Sequence, residues 1–313
     1  MKGAGKINRK TFQKKFKRDW QLHALMLLPL IYIFIFDLLP MYGIQIAFRD
    51  YRPKAGITGS VWVGLRWFKQ FLSNYAFGQI FKNTIILSLY SLSTFPLAII
   101  FALILHAMRS EKYKKVVQTV AYIPHFISIS VLIGIISMVF SPVSGIYGNL
   151  YHLFGGTGYP PDFRASAGAF RHLYVWSGVW QGLGWSTIIY TAALSSVSQE
   201  LYDAAKVDGA SRLKMMWYVD IPAIMPTIII QFILRCTSII SVGFEKAYLL
   251  QSDLNLSVSE VISTYVYKQG MSSFRNFSYG SAVGLFNTAI NLTLLLVVNY
   301  IVRRSTDGEM SLF

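Results

Sequence analysis

Between two long apolar stretches, residues 200–210 read Glu-Leu-Tyr-Asp-Ala-Ala-Lys-Val-Asp-Gly-Ala, and residues 219–222 read Val-Asp-Ile-Pro. The first block mixes polar and apolar residues as a short amphipathic helix does, and Gly209 permits a tight or left-handed turn at its end. Pro222 is typical of the entry to a following helix. The pattern predicts helix, break and helix, with the short helix protruding as a docking site for a soluble partner. The alternative is an ordinary polar loop.

The composition of the whole chain argues against a soluble protein. Of its 313 residues, 54% are apolar and only 14% are charged, whereas about a quarter are charged in soluble domains. The mean hydropathy is +0.45, and 22 Phe, 19 Tyr and 7 Trp add a large aromatic area. A core of this size cannot bury so much apolar surface and still leave a polar shell. A soluble enzyme and a disordered chain are therefore excluded.

Six stretches are long and apolar enough to cross the membrane, which takes about 20 helical residues for about 30 Å of hydrocarbon. They lie near residues 22–36 (extending toward Tyr42), 84–106, 116–140, 173–197, 223–242 and 279–302. The first is interpreted as a signal anchor, because Asp37 and Pro40 lie at its end and no small-residue cleavage pattern follows.

The basic residues are shared unequally between the predicted connections. The formal charge is +15, from 29 Lys and Arg against 14 Asp and Glu. Seventeen of these cations lie in the N-terminus, the second and fourth connections and the tail, whereas eleven lie in the longer connections on the other side. The positive-inside rule therefore predicts a multi-pass protein with both termini in the cytoplasm.

The first twenty residues combine an apolar stripe with cations. Phe12, Phe16 and Trp20 recur every fourth residue among lysines and arginines. This pattern is typical of an interfacial helix on an anionic leaflet. Nucleic-acid binding is the alternative, but topology alone explains basic residues so close to a span, and we expect no nucleic-acid partner.

The sequence contains no pattern typical of catalysis or metal binding. The five histidines include no pair three or four residues apart, and neither G-x-S-x-G nor G-x-x-x-x-G-K-[ST] occurs. Cys236 is the only cysteine, which excludes an intrachain disulfide or a thiolate cluster. We expect no catalytic residue, no metal and no cofactor on this chain, and no ATP hydrolysis by it.

The block at residues 200–222 resembles the EAA loop of ABC-importer permeases, which reads E-A-A-x-x-x-G followed at a fixed distance by I-x-L-P. Asp in place of Glu and the Val and Ile substitutions in the last block are departures that keep charge or shape. The ATPase-coupling residues that the resemblance implies are Asp203, Ala204, Ala205, Asp208, Gly209, Ile221 and Pro222.

Further stretches are similar to polysaccharide permeases of the LplB type, in the carbohydrate-uptake class. They include Met-Tyr-Gly-Ile-Gln-Ile-Ala-Phe at 41–48, Ile-Pro-His-Phe-Ile-Ser at 123–128 and Ala-Val-Gly-Leu-Phe at 282–286, and they run across nearly the whole chain. The resemblance implies an all-α type I importer fold with six transmembrane helices and an EAA helix between the fourth and fifth. The implied function is import of oligosaccharides or polysaccharide fragments across the bacterial plasma membrane.

The resemblance also implies partners and a mechanism. These are a second homologous permease in a heterodimer, two ATPase subunits that hold ATP and Mg²⁺, an extracellular solute-binding lipoprotein and the lipid bilayer. ATP binding closes the ATPase dimer and moves an EAA helix seated in an ATPase groove. Asp203 is then the candidate contact to a basic ATPase residue, and Gly209 sets the helix angle. The outer loop at 141–172 is expected to face the lipoprotein.

These features divide the chain into four segments. Residues 1–20 form a basic amphipathic cytoplasmic segment, 21–78 the first span and outer loop, and 303–313 a cytoplasmic tail. The importer core covers 79–302, with the EAA loop at about 198–222.

Polar and aromatic residues inside the predicted bundle are the candidates for the sugar pathway, because polar groups in spans are functional by default. Gln181 and Trp185 lie one turn apart in the fourth span, and Arg235 and Ser238 share a face of the fifth. These two spans flank the EAA loop and help to line the pathway in sugar permeases.

Five further residues are weaker pathway candidates, and each has a structural alternative: Trp180, His125, Ser128, Glu245 and Asn287. Trp180 contacts either sugar or lipid, while His125 and Ser128 either line the cavity or satisfy helix packing beside a kink. Asn287 either contacts sugar or, as we favour, forms interhelical hydrogen bonds together with Asn291.

Arg235 has two interpretations that the sequence leaves open. A cation inside a span costs several kcal/mol, on the order of 3 or more, unless it is paired or solvated. It either pairs with an internal acid such as Glu245 or binds an acidic sugar such as a uronic acid.

Two other classes of membrane protein compete with the importer. A membrane enzyme requires a catalytic pair or metal motif, which the sequence lacks. A secondary transporter usually shows internal repeats and interrupted helices, and it has no use for an EAA loop. We therefore favour a non-catalytic permease subunit.

Overall fold

The computed structural model describes residues 18–237, 242–272 and 276–305, and most of these residues are helical. Helices suit such long apolar stretches because each one satisfies its backbone hydrogen bonds internally, which lipid requires. Most of the predicted interfacial helix over residues 1–20, with Phe12 and Phe16, lies outside the described residues, so that helix stays a prediction.

From Trp20 to Val139 the structure describes eight α-helices and one hairpin. The helices are α1 (Trp20–Ile33), α2 (Leu39–Met41), α3 (Gly56–Gly59), α4 (Arg66–Leu72), α5 (Phe77–Ser93), α6 (Phe95–Ala107), α7 (Glu111–Tyr122) and α8 (Ile129–Val139). A π-helical segment at Phe34–Leu38 and 3-10 segments at Tyr42–Phe48 and Ile123–Phe126 connect some of them. Strands β1 (Arg49–Arg52) and β2 (Ser60–Trp62) pair antiparallel, with Arg49 opposite Trp62.

The described residues of the second part contain nine α-helices. They are α9 (Ile146–Leu153), α10 (Ala167–Ser195), α11 (Gln199–Val207), α12 (Arg212–Met215), α13 (Ile221–Thr237), α14 (Phe244–Leu250), α15 (Leu256–Ser259), α16 (Ile262–Tyr267) and α17 (Phe277–Ser305). Two π-helical segments, Met216–Asp220 and Lys268–Ser272, precede α13 and follow α16.

In the part of the chain that the structure describes, four helical stretches are each long and apolar enough to cross a membrane. They are Trp20–Phe48, Phe77–Ala107, Arg212–Cys236 and Phe277–Arg304. They coincide with the first, second, fifth and sixth predicted spans, which are confirmed to this extent. The second begins earlier than predicted, at Phe77 instead of 84, and the end of the fifth predicted span falls partly outside the described residues.

The third predicted span, 116–140, corresponds to a bent pair of helices, so its single crossing stays a prediction. The helical stretches Glu111–Phe126 and Ile129–Val139 are bent by 103° at the break between them. Pro124 lacks an amide donor and restricts the residue before it, which ends the first helix. Ser128 starts the second by accepting a hydrogen bond from the Val131 amide at 3.3 Å. The predicted kink beside Pro124 is therefore present, and it is large.

The fourth predicted span, 173–197, corresponds to α10, which contains 29 residues. This helix is about 43 Å long at 1.5 Å per residue, enough to cross the hydrocarbon. It does not reach the apolar composition of the four stretches above, because Gly, Trp, Ser, Thr and Gln residues interrupt the apolar ones along its length. It packs against α6, α7, α13 and α14, so these polar residues lie within or beside the bundle.

Three buried clusters hold the helices together. The first joins α4 to α16 and α17 through Trp67, Phe71, Tyr265 and Tyr279; the second centres on Leu87, Leu132 and Phe170; the third joins α6, α10 and α13 through Ala102, Tyr190 and Ile224. In contrast, α1 contains no buried residue, and the segment Tyr42–Phe48 after it packs against α17. The first span therefore presents its surface to lipid or to another chain.

The packing of α10 on α7 depends on Gly184. A Cβ atom at this position would lie 2.2 Å from the carbonyl oxygen of Ala121, which is backbone and cannot rotate away. We predict that Gly184→Ala destabilises the chain by about 1–3 kcal/mol, as overpacking does. Thermal unfolding of the purified protein in detergent measures this as a lower midpoint.

Gly182→Ala is the matched control in the same helix, because a Cβ there meets nothing within 4 Å. We expect an unchanged or slightly higher midpoint, since alanine favours helices over glycine by about 1 kcal/mol. Equal midpoints for the two variants would contradict the packing assigned to Gly184.

Candidate functional site

A cavity of about 770 Å³ opens between six helices. Its wall is formed by α5, α6, α8, α10, α13 and α14, and it includes the hydroxyls of Ser88, Ser91 and Ser186 beside apolar side chains. This volume lies within the range of about 300–1,000 Å³ that is usual for ligand sites. Three of the four main sequence candidates, Gln181, Trp185 and Arg235, line this one cavity.

Gln181 lies on α10 and faces both the cavity and the bend between α7 and α8. Its Nε2 donates a hydrogen bond of 2.7 Å to the carbonyl oxygen of Ile127. That carbonyl belongs to the break in the bent pair, where helical hydrogen bonds are missing. Gln181 therefore fixes the bend and, through the rest of its side chain, contributes to the cavity wall.

Trp185 lies one turn further along α10, and one of its faces is already occupied. The imidazole of His125 stacks on the indole with ring centroids 4.4 Å apart and planes 3° from parallel. Phe126 approaches the same indole edge-on at 6.1 Å. His125 thus acts on the cavity through Trp185, and the structure places it behind the wall.

Arg235 lies near the end of α13, exposed to the cavity that it lines. It interacts electrostatically with Tyr174 of α10, whose ring also lines the cavity. The hydroxyl of Tyr174 accepts a hydrogen bond of 3.1 Å from the Gly243 amide. The cavity therefore has a cation on its α13 side and a fixed tyrosine on its α10 side.

Lys246 is a second cavity cation, which the sequence did not single out. It lies in the first half of α14, a helix outside the membrane-spanning stretches, and only 7% of its surface is exposed. Its Nζ lies 4.8 Å from the centroid of the Tyr174 ring. Burial lowers the pKa of its ammonium to about 8. In the sequence, Lys246 looked like one more basic residue of a predicted loop.

The remaining pathway candidates do not lie on the cavity wall in the described residues. Trp180 lines a separate apolar cleft between α8 and α10, whereas Ser128 caps α8. The carboxylate of Glu245 accepts a hydrogen bond from Ser130 at 3.2 Å. The Asn287 amide oxygen is buried on α17. Ser238 lies outside the described residues, so its role stays a prediction.

The segment that resembles an EAA loop forms the helix α11 and a sharp turn. Ser198 starts the helix by accepting a hydrogen bond from the Glu200 amide at 3.3 Å. Gly209 ends it with φ +70°, a left-handed conformation that glycine adopts without strain. The amides of Gly209 and Ala210 bond the carbonyls of Lys206 and Ala205 at 3.0 and 2.9 Å. This pair of bonds is a Schellman cap, so the predicted helix and break are both present.

The residues at the E-A-A positions lie on α11, and Asp203 projects into solvent. Its carboxylate pairs with Lys206 at 2.9 Å and accepts a hydrogen bond from Gln199 at 3.2 Å. The hydrogen bond from Lys206 is the main reason that the pKa of Asp203 is lowered, followed by the one from Gln199. Asp203 is therefore a stable negative charge on the exposed side of the helix.

The opposite side of α11 is anchored by a buried hydrogen-bond network. Tyr202 donates a hydrogen bond of 2.5 Å to the carboxylate of Asp220, which is 3% exposed and directly precedes α13. The same hydroxyl lies 3.1 Å from Nε2 of His106, at the end of α6. Burial, followed by the hydrogen bond to Asp220 and its charge, raises the pKa of the Tyr202 phenol. The network ties α11 to two helices of the bundle at once.

Comparison with known proteins places the chain among transport components. Residues 94–307 match the family described as "Binding-protein-dependent transport system inner membrane component". Protein LplB of Bacillus subtilis is 40% identical over 94% of this chain and 92% of its own length. The polygalacturonan/rhamnogalacturonan transport system permease protein YteP of the same organism is 39% identical over 96% of this chain and 92% of its own length.

Solved structures give the same result for the fold. A crystal structure of a bacterial ABC transporter involved in the import of the acidic polysaccharide alginate includes a chain with a TM-score of 0.85 and 35% identity. The match covers 94% of this chain and 99% of that one. A second crystal structure, of a bacterial alginate ABC transporter in complex with an alginate pentasaccharide-bound periplasmic protein, also gives a TM-score of 0.85. Its matched chain is 34% identical, over 96% of this chain and 99% of its own length.

The network around Tyr202 generates a structural prediction. Tyr202→Phe removes the donor to a buried carboxylate, which costs about 1–3 kcal/mol. We expect the amides of 199–207 to exchange with deuterium about tenfold faster than in the unmodified chain, as measured by mass spectrometry. The matched control is Tyr218→Phe, since Tyr218 is 80% exposed, and we expect its exchange to be unchanged. Equal exchange in the two variants would show that Asp220 does not anchor α11.

Proposed function

The chain belongs to the family of binding-protein-dependent transport system inner membrane components, and from this membership we propose that it forms part of the path by which acidic oligosaccharides enter the cell. It is a permease of the sugar ABC-transporter type. The observation that carries the proposal is the cavity with Arg235 in its wall beside Gln181 and Trp185. Its cation, amide and aromatic ring match the carboxylates, hydroxyls and apolar ring faces of uronic acids.

The relatives support an acidic substrate. Polygalacturonan, named for YteP, and alginate, named for the transporter of the solved structure, are both polymers of uronic acids. A guanidinium on the pathway offers such a sugar bidentate hydrogen bonds. Of the two interpretations of Arg235, we therefore propose substrate binding, and the hydrogen bond between Glu245 and Ser130 gives that acid a separate role.

We propose six spans, with both termini in the cytoplasm of a bacterial cell. The four long apolar stretches, the bent pair formed by α7 and α8, and α10 supply six crossings. The positive-inside distribution of Lys and Arg supports the orientation. On this orientation α11 lies on the cytoplasmic side, and the outer loop at 141–172 faces the solute-binding protein.

We propose that α11 and the turn after it dock on an ATPase subunit. Apolar side chains are exposed on this helix, with Val207 at 88% and Leu201 at 51% exposure. An exposed apolar patch of this kind is typical of an interaction site. Asp203 supplies a charge at its edge for a basic residue of the ATPase. The chain binds no ATP itself in this proposal, and ATP with Mg²⁺ is held by the ATPase.

A second permease completes the pathway in this proposal. Support comes from α1, which contains no buried residue. All its large apolar side chains are exposed in the isolated chain. Lipid covers part of such a helix, and a homologous permease covers the rest. Two ATPase subunits and an extracellular lipoprotein that delivers the sugar complete the importer.

The turn at Gly209 generates a prediction about coupling. Proline fixes φ near −65°, so Gly209→Pro cannot adopt the observed φ of +70° and changes the angle between α11 and the following segment. We expect the variant to insert into membranes normally but to lose sugar uptake. Uptake into cells or proteoliposomes, with membrane insertion measured in parallel, tests this.

Gly209→Asn is the control, because asparagine tolerates left-handed backbone better than other residues. We expect it to retain most of the uptake. Normal sugar-stimulated ATPase activity in Gly209→Pro would contradict the proposal that this turn couples ATP hydrolysis to transport.

Arg235 generates a prediction about substrate charge. Arg235→Gln keeps hydrogen-bonding capacity but removes the cation, and a charge-assisted bond contributes about 1.5–3 kcal/mol. We expect kcat/KM for uptake of an acidic oligosaccharide to fall at least about tenfold. Uptake of the same oligosaccharide with its carboxylates reduced to alcohols should change little.

Arg304→Gln controls for the general loss of a positive charge, since Arg304 is exposed at the end of α17, away from the cavity. We expect it to behave as the unmodified importer does. Equal uptake of the acidic oligosaccharide by the Arg235→Gln variant would refute substrate binding by Arg235.

A further inference from the structure

Lys246 is buried in the wall of the cavity, beside Tyr174 and Gly178 of α10. Its ammonium lies over the Tyr174 ring at 4.8 Å, and a Cβ atom at Gly178 would come within 3.0 Å of Nζ. The absence of a side chain at Gly178 therefore provides the space that the ammonium occupies. Lys246 lines the cavity together with residues of α10 and α13, although only 7% of its surface is exposed.

This ammonium has no carboxylate partner among residues 18–237, 242–272 and 276–305. The adjacent acid in the sequence, Glu245, is directed to Ser130 on α8. A buried cation that packs on an aromatic ring, with no carboxylate beside it in the described residues, is poorly compensated, and burial lowers its pKa. An anion in the cavity would supply the missing charge.

Tyr174 connects this cation to the other one. Its ring faces Nζ of Lys246, and the same residue interacts electrostatically with Arg235. Its hydroxyl is held by the Gly243 amide, so the ring cannot rotate freely. The cavity wall therefore contains two positive groups that both interact with one tyrosine, one from α13 and one from α14.

We propose that Lys246 is a specificity-determining residue that binds a carboxylate of an acidic oligosaccharide while Arg235 binds the carboxylate of a neighbouring sugar unit. This inference rests on the proposed function, because it assumes that the cavity holds the transported sugar. Two cations bind the carboxylates of two successive sugar units of the oligosaccharide, which a single arginine cannot do. Substrates with carboxylates on successive units are therefore preferred over those with one.

The experiment uses the whole importer, with its partner permease, ATPases and binding lipoprotein, in proteoliposomes. The probes are trigalacturonate, alginate pentasaccharide and the carboxyl-reduced form of each. For Lys246→Gln we expect kcat/KM for the acidic probes to fall by about tenfold to a hundredfold, and uptake of the reduced probes to stay unchanged. Lys246→Arg should restore a substantial part of the acidic uptake, because it returns the charge.

Gly178→Ala is a second variant, which leaves the lysine in place. Its added methyl displaces the ammonium, so we expect a smaller loss confined to the acidic probes. If Lys246→Gln does not fold, as judged by its thermal midpoint, the Gly178→Ala and Lys246→Arg variants still decide the result. Loss of acidic and reduced uptake in equal proportion would show a purely structural role and overturn the inference.

The results separate this inference from the proposed function. If the unmodified importer does not prefer the acidic probes to the reduced ones, the proposed function fails and the inference with it. A second outcome is that the unmodified importer prefers the acidic probes, that Arg235→Gln loses this preference and that Lys246→Gln keeps it. In that case only the role of Lys246 is overturned. Loss of the preference in both variants supports both.

Discussion

A cation inside a membrane bundle is stable only where water or an anion faces it, because hydrocarbon compensates neither its charge nor its hydrogen bonds. This constraint shapes the centre of the molecule. The helices around Arg235 do not close on one another but enclose a cavity of about 770 Å³, and Lys246 lines the same cavity from α14, outside the membrane-spanning stretches. The less apolar composition of α10 gives the cavity wall its polar side chains. The missing side chain at Gly178 leaves space for the Lys246 ammonium. Charge and cavity therefore depend on each other.

The helices α10 and α13 connect the cavity to α11. Both helices line the cavity; α10 directly precedes α11, and α13 follows it after the short helix α12 and the segment Met216–Asp220. The hydrogen bond between Tyr202 and Asp220 adds a direct contact from α11 to the start of α13, and His106 extends it to α6. The chain itself and this buried polar contact therefore connect α11 to the helices of the cavity wall.

Sequence reasoning succeeded where a feature depends on near neighbours in the chain. The Schellman turn at Gly209 and the shared face of Gln181 and Trp185 follow from local backbone rules and helical spacing. It failed where the deciding contact is distant. Lys246 is 72 residues from Tyr174, and nothing in its own segment indicates that the tertiary fold buries it against that ring. The 103° bend was foreseen only as a kink, because the carbonyl that Gln181 satisfies there comes from another helix.

The most direct test of the central claim is a cryo-electron microscopy structure of the complete importer, trapped with the acidic oligosaccharide that its own binding lipoprotein retains. The account predicts sugar density in the cavity between α10 and α13, with a carboxylate within hydrogen-bonding distance of the Arg235 guanidinium. Sugar bound by the partner permease alone would contradict it. So would sugar in this cavity with every carboxylate turned away from Arg235.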